Sequence, residues 1–163
     1  MPVFVDDITL ASRSQEAQDA FVAELATHFK LHYLGPTSFL LGIEVTRDRL
    51  NQKLYLSQCQ YFINKLAEFG MTDCKPVGTP MAPGLKLSKE DSPTSEEELE
   101  EMKNIPYMNA VEALLYLVNT SRPDIAYTAG VLSRLNSNPG VAHWEAVKHA
   151  FRYLKGTLDM KLE

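Results

Sequence analysis

The feature that most constrains this chain is a break in its middle. Residues 75–104 carry four prolines, Pro76, Pro80, Pro83 and Pro93, and then the acidic run SPTSEEELEEMK. Proline removes a backbone donor and disrupts helix or strand interiors, and thirty residues without a clear element are uncommon inside a compact domain. The expectation is an acidic, Pro-rich linker, an exposed strap joining two parts of different character. Before it the sequence is β-rich with two amphipathic helices; after it every apolar stripe has helical spacing.

The 163 residues suffice for one domain or two small subdomains. At 45% apolar and 23% charged residues the composition is globular, and excludes a wholly disordered chain. No run approaches the roughly 20 apolar residues of a membrane helix, and no basic-then-apolar leader opens the chain. Cys59 and Cys74 lack metal-ligand spacing and read as free thiols of a reducing compartment. Net charge is −5. Residues 1–83 contribute −2, residues 84–104 −4 and residues 105–163 +1. The negative charge is thus concentrated in the strap, and the acidic total is weak evidence against contact with phosphates elsewhere.

In the first half, Val3-Phe4-Val5 and Ile8-Thr9-Leu10 flank Asp6-Asp7, which predicts a hairpin with the acids at its tip. A helix is expected over 14–29, with Ala17, Phe21, Leu25 and Phe29 inward and a Ser12/Gln15 capping box. Residues 31–34 form a short strand candidate. Residues 38–46 read as another strand, with a bulge or close backbone approach at Gly42, and residues 54–56 return as its partner. Ser57 and Gln60 suggest a second capping box, opening a helix to about Phe69 that Gly70 ends. After the strap, helices are expected over 107–119 (Met108, Val111, Leu114, Leu115 and Val118 inward), 123–136 (Pro123 in the first turn, Gly130 for close packing) and 143–155 (Trp144, Val147, Phe151 and Leu154 inward).

Two adjacent carboxylates are costly at a turn: at about 4 Å they repel by roughly 4 kcal/mol with an effective dielectric near 20. A hard divalent cation converts that repulsion into binding, because Mg²⁺ takes carboxylate oxygens together with substrate phosphates. Two such ions can activate a hydroxyl nucleophile and stabilise a leaving oxygen. The simpler reading is a solvated turn.

The wider string shifts the balance. FVDDITLAS resembles the (Tyr/Phe)-Val-Asp-Asp box of reverse transcriptases. LGPTSFLLGIEVTRD, LYLSQCQYFINKL, FGMTDCKPVGTPM, IPYMNAVEALLYLVNTSRPDIAYTAGVLSR and NSNPGVAHWEAVKHAFRYLKGT follow in the order of the copia-type (pseudovirus-type) long-terminal-repeat retrotransposon polyprotein. The resemblance covers almost the whole chain. It implies an α+β fold: residues 1–56 a partial reverse-transcriptase palm of β-hairpins and one helix, 57–74 a first thumb-like helix, 75–104 the linker, and 105–163 a helical thumb or connection.

It also implies roles. Asp6 and Asp7 match the metal-binding aspartates, with Mg²⁺ (or Mn²⁺) as cofactor of an RNA-directed DNA polymerase, a nucleotidyltransferase. Phe4 would lie near the template–primer, and Leu41 and Gly42 at a primer-grip hairpin. Partners would be an RNA or DNA template–primer, dNTPs and the ribonuclease H and integrase regions of the same polyprotein, in the cytoplasm within a virus-like particle and away from membranes. A further aspartate, the fingers and the ribonuclease H domain are not in these 163 residues, so the chain reads as a fragment that does not polymerise DNA alone. Glu112 stands where the family has a small glycine, and would be an unpaired buried charge if that face packed closely.

Outside the resemblance, Lys148, Arg152 and Lys155 share one face of the last helix. That row suits phosphate contacts or simply a solvated surface. Arg122 and Asp124 suggest a local ion pair, and His143 a capping or packing role. A non-catalytic nucleic-acid-binding or assembly remnant is the alternative function.

Overall fold

The computed structural model describes residues 3, 4 and 7–163, with Phe4 and Asp7 described by backbone alone. The fold is α+β and comprises two compact units, Met1–Ser38 and Phe39–Glu163.

In the first unit β1 (Val3–Phe4) pairs antiparallel with β2 (Asp7–Ile8), in the register Val3↔Ile8 and Phe4↔Asp7. Helix α1 (Gln15–Ala26) follows. Its cap is Ser14, whose side chain accepts from the Ala17 amide at 3.3 Å, while Ser12 Oγ accepts from the Ser14 amide. The cap thus sits two residues later than the expected Ser12. Phe21, Val22 and Leu25 are half-buried, but Ala17 is exposed and Phe29, beyond the helix end, is 64% exposed. Residues 31–34 are not a strand: among the described residues nothing pairs with them, and Tyr33 and Leu34 are exposed.

The second unit opens with an antiparallel sheet ordered β3 (Phe39–Leu40), β4 (Ile43–Asp48), β5 (Lys53–Ser57). The expected single strand over 38–46 is instead two strands. Leu41 (φ 51°) and Gly42 (φ 78°) form a two-residue turn with both φ values positive, and Leu40 pairs with Ile43. Such a turn matches the right-handed twist of the strands it joins. At the next turn the Asp48 carboxylate accepts from the Asn51 amide and side chain, at 3.1 and 2.6 Å. Leu56 also exchanges backbone bonds with Leu162, and Lys53 pairs with Glu163.

Helix α2 (Cys59–Glu68) starts without a side-chain cap on Gln58. Ser57 Oγ accepts from the Cys59 amide, and Gln60 reaches Asn64, so the expected capping box does not form. Its end is as expected. Gly70 (φ 65°) donates to Ala67 O at 3.1 Å and Met71 to Leu66 O at 2.7 Å, with Met71 and Leu66 both buried. That pairing is the Schellman stop, and a left-handed residue is least strained as glycine.

Helices α3 (Glu96–Met102), α4 (Tyr107–Val118), α5 (Ala126–Ser133) and α6 (Val141–Lys155) complete the unit. A 3₁₀ turn, Pro123–Ile125, leads into α5 with proline in its first turn. The core joins α2, α4, α5 and α6 through Phe62, Leu114, Ile125, Leu132, Val147 and Phe151. Two expectations are corrected. The buried stripe of α4 begins at Tyr107, followed by Ala110, Val111, Leu114 and Leu117, while Met108 is 54% exposed. Gly130 packs against nothing; a Cβ there would meet open space.

Tyr107 is 2% exposed, and its hydroxyl donates to Leu132 O at 3.0 Å. Burial pushes its pKa up to about 12. An unfolded tyrosine ionises near pH 10. From about pH 10 the unfolded state therefore sheds a proton that the folded state keeps, and stability falls until about pH 12. Tyr107→Phe is expected to lose about 1 kcal/mol at neutral pH through the missing hydrogen bond. It should also flatten the fall above pH 10, as read by urea melts across that range.

Candidate metal-binding hairpin and nucleic-acid interface

The β1–β2 register sets the geometry of the acidic pair. Asp7 heads β2 opposite Phe4, so it belongs to a strand and not to the tip where the sequence reading put both acids. Asp6 lies outside the described residues, as do the side chains of Phe4 and Asp7. Neighbouring strand residues face opposite sides. Among the described residues no three His, Cys, Asp or Glu side chains gather as a metal cluster.

At the second expected site, Gly42 does make a close approach, and its neighbour is within the protein. A Cβ on Gly42 would lie 2.9 Å from the Tyr116 hydroxyl, and that hydroxyl donates to Leu41 O at 2.6 Å. Tyr116 in turn stacks edge-on with Tyr61 of α2, ring centres 4.7 Å apart. The β3–β4 tip is thereby pinned to α4, with the exposed Leu41 side chain turned away from burial. Sequence reasoning missed Tyr116, because nothing local marks a tyrosine that serves a turn 75 residues earlier.

The α6 cations also have partners. Arg152 Nε donates to Lys75 O at 2.7 Å, and Lys155 Nζ to Thr72 O and Cys74 O at 2.6 and 2.8 Å. Lys148 pairs with Glu145 of its own helix. The row is therefore neither a simple solvated face nor an open phosphate groove: Arg152 holds the first residue of the strap, and Lys155 holds the turn that leads into it. His149 Nε2 meets Thr79 O at 3.0 Å, and the fully buried His143 meets Ser88 O at 2.9 Å. His143 Nδ1 accepts from the Gly140 amide, which leaves Nε2 to carry the proton donated to Ser88. That bears out a capping role for His143 and adds a tie to the strap. Glu112 is exposed, so its face is open and no charge is buried there.

The SRPD segment is the most connected polar group. The guanidinium of Arg122, 7% exposed, donates through Nε and Nη2 to Asp124 at 2.9 and 2.8 Å, and through Nη1 and Nη2 to Thr157 O and Oγ1. Its charge lies 5.6 Å from the centre of the Tyr153 ring, and the Tyr153 hydroxyl donates to Asp124. Burial raises the Asp124 pKa, but the hydrogen bonds from Arg122 and Tyr153 outweigh it and leave the carboxyl below its ordinary value. Next to it Ser121 Oγ donates to Gln58 Oε1 at 2.7 Å. The motif is a structural clasp between the start of α2, the α4–α5 corner and the end of α6.

Three sequence segments that are far apart, LSQCQY, TSRPD and YLKGT, thus meet in one polar network. Residues 1–83 match the family "Reverse transcriptase (RNA-dependent DNA polymerase)". The chain is 43% identical over 155 residues to the retrovirus-related Pol polyprotein from transposon TNT 1-94 of Nicotiana tabacum, covering 95% of this chain and 12% of that one. It is 35% identical to the corresponding polyprotein from transposon RE2 of Arabidopsis thaliana, covering 98% and 10%. An uncharacterized mitochondrial protein of Arabidopsis thaliana is 33% identical, with 96% of this chain and 61% of that protein covered. The chain therefore spans about a tenth of the two polyproteins. No solved structure matches it. With the family match spanning half the chain and the copia-type motifs in order along the rest, the chain belongs to the reverse transcriptase family of retrotransposon Pol polyproteins.

Proposed function

We propose that this chain is the part of a copia-type RNA-directed DNA polymerase that carries the acidic hairpin and the helical scaffold after it. In the intact enzyme Asp6 is the main ligand of a divalent ion, Mg²⁺ or Mn²⁺, and Asp7 an auxiliary ligand or electrostatic support. The observation that carries this reading is the antiparallel pairing of Val3 with Ile8 and Phe4 with Asp7, which sets Asp7 on a two-stranded frame. The donor chemistry fits, because carboxylate oxygens suit a hard cation. Bound there, the ion would supply charge stabilisation for nucleotidyl transfer between a primer hydroxyl and a dNTP.

The protein's own contribution is positional. β2 carries Asp7, Phe4 stands across from it, and the β3–β4 tip at Leu41–Gly42 is fixed by Tyr116. One pair of carboxylates gives too few ligands for two ions, each of which takes about six oxygen ligands. The isolated chain is therefore inactive as a polymerase. RNA or DNA template–primer, dNTPs and the other polyprotein regions are partners of the whole enzyme.

The test is metal binding followed by primer extension. Mn²⁺ should broaden the backbone NMR signals of residues near 6–8, and Asp6→Ala should abolish that broadening. Purified chain with Mg²⁺, dNTPs and a primer–template should yield no extended product. Product that is lost on Asp6→Ala would overturn the claim of inactivity, and Mn²⁺ broadening elsewhere would overturn the metal assignment. Salt-dependent duplex binding without any effect of metal would favour the alternative, a non-catalytic nucleic-acid-binding or assembly remnant.

A further inference from the structure

Helix α6 holds the strap through a row of donors that all address main-chain oxygens. His143, His149, Arg152 and Lys155 meet Ser88 O, Thr79 O, Lys75 O, and Thr72 O with Cys74 O, respectively. The partners descend in number as the helix ascends, so the strap runs antiparallel along α6. Backbone oxygens carry no side-chain identity, so the row does not depend on the strap's sequence. The glycines flanking α6 mark where the strap crosses. A Cβ on Gly140 would strike Asp91 O, and one on Gly156 would lie 3.1 Å from Pro76 Cβ.

Up to Ser88 the strap is held mainly by these polar contacts. No residue from 72 to 88 is buried, although Cys74 and Leu87 lean on the core. A segment with little buried apolar surface undocks at low cost. The donors it covers include two permanent cations facing only the partial charges of carbonyl oxygens. A phosphate oxygen, carrying a full charge, makes a stronger bond to the same donors. His149, Arg152 and Lys155 span six residues, about 9 Å of helix, which is the rise of two to three nucleotides at about 3.4 Å each.

We propose that residues 72–88, the turn after α2 together with the first part of the strap, mask a phosphate-binding row formed by His149, Arg152 and Lys155, and that the backbone of a primer–template duplex displaces this segment to occupy it. This deepens the nucleic-acid reading above and rests on it. It is independent of the Asp6 metal site.

The test is anisotropy of a labelled primer–template duplex without Mg²⁺, for the full chain and for Gly156→Val. Valine displaces Pro76 and removes no cation. Gly156→Val should tighten binding about tenfold near 50 mM salt and steepen the salt dependence by about two in log–log slope, two cations at about 0.9 each. Adding Arg152→Gln and Lys155→Gln should erase both gains. Asp6→Ala should change neither, so failure of the metal assignment and failure of the mask are distinguishable. A second measurement keeps the wild-type strap intact. In a Cys59→Ser chain, saturating duplex should speed thiol labelling of Cys74 several-fold. Unchanged affinity in a folded Gly156→Val, a gain that survives loss of both cations, or Cys74 labelling indifferent to duplex would each overturn the proposal.

Discussion

Arg122→Ala is expected to destabilise the helical unit by about 2–3 kcal/mol, because a buried guanidinium loses its charge-assisted hydrogen bonds to a partly exposed carboxylate. The reason lies in what is left behind. The partly exposed Asp124 would lose the two guanidinium bonds that hold its charge, and Thr157 O would lose its donor. Urea melts followed through Trp144, the single tryptophan of the chain, give the measurement. The loss should depend on pH with a definite sign. In the native protein the Asp124 carboxyl sits below its ordinary value. The stability it contributes is therefore fully present above the unfolded value near 4, and fades as pH falls through the folded value. The gap between wild type and Arg122→Ala should narrow below about pH 4. A gap that is constant down to strong acid would show that packing of the arginine stem, and not its charge, carries the effect.

Phe151→Ala should produce a larger loss, about 3–5 kcal/mol, from transfer and cavity terms together. Phe151 is fully buried and packs edge-on against Phe62 and Phe69 of the α2 region, ring centres 5.4 and 5.2 Å apart. Together with the Phe69–Trp144 pair, it ties α6 to the α2 region. The truncated protein should unfold at lower urea and bind a hydrophobic dye, whereas Phe151→Leu should recover much of the loss. A loss below about 1 kcal/mol would mean that the neighbouring rings collapse into the space.

These two residues illustrate what a linear reading can reach. Phe151 was legible because its neighbours Val147 and Leu154 repeat at helical spacing, and burial follows from the stripe. Arg122 was read as a local pair with Asp124, which is correct and incomplete: Thr157 and Tyr153 lie some thirty residues away in sequence. The inward face of α4 takes Tyr107 and not Met108, because Ala110, Val111, Leu114 and Leu117 set the phase of the buried stripe and the Tyr107 hydroxyl finds Leu132 O. Gly42 was marked as a place of close approach, but the sequence could not say that Tyr116 would be the neighbour. The strap looked unanchored because its anchors are backbone oxygens, which leave no trace in composition.

The stop at Gly70, the proline start near residue 123, the three helices after the strap, the α+β class and the family were all written in the sequence, because local propensity and motif order are properties of neighbouring residues. Tertiary structure alone decided which donors of α6 are occupied, which tyrosine pins the β3–β4 turn and how far the Arg122 network extends. Those pairings join residues 29 to 83 positions apart, and such partners are selected by packing in space, where chain distance has no influence.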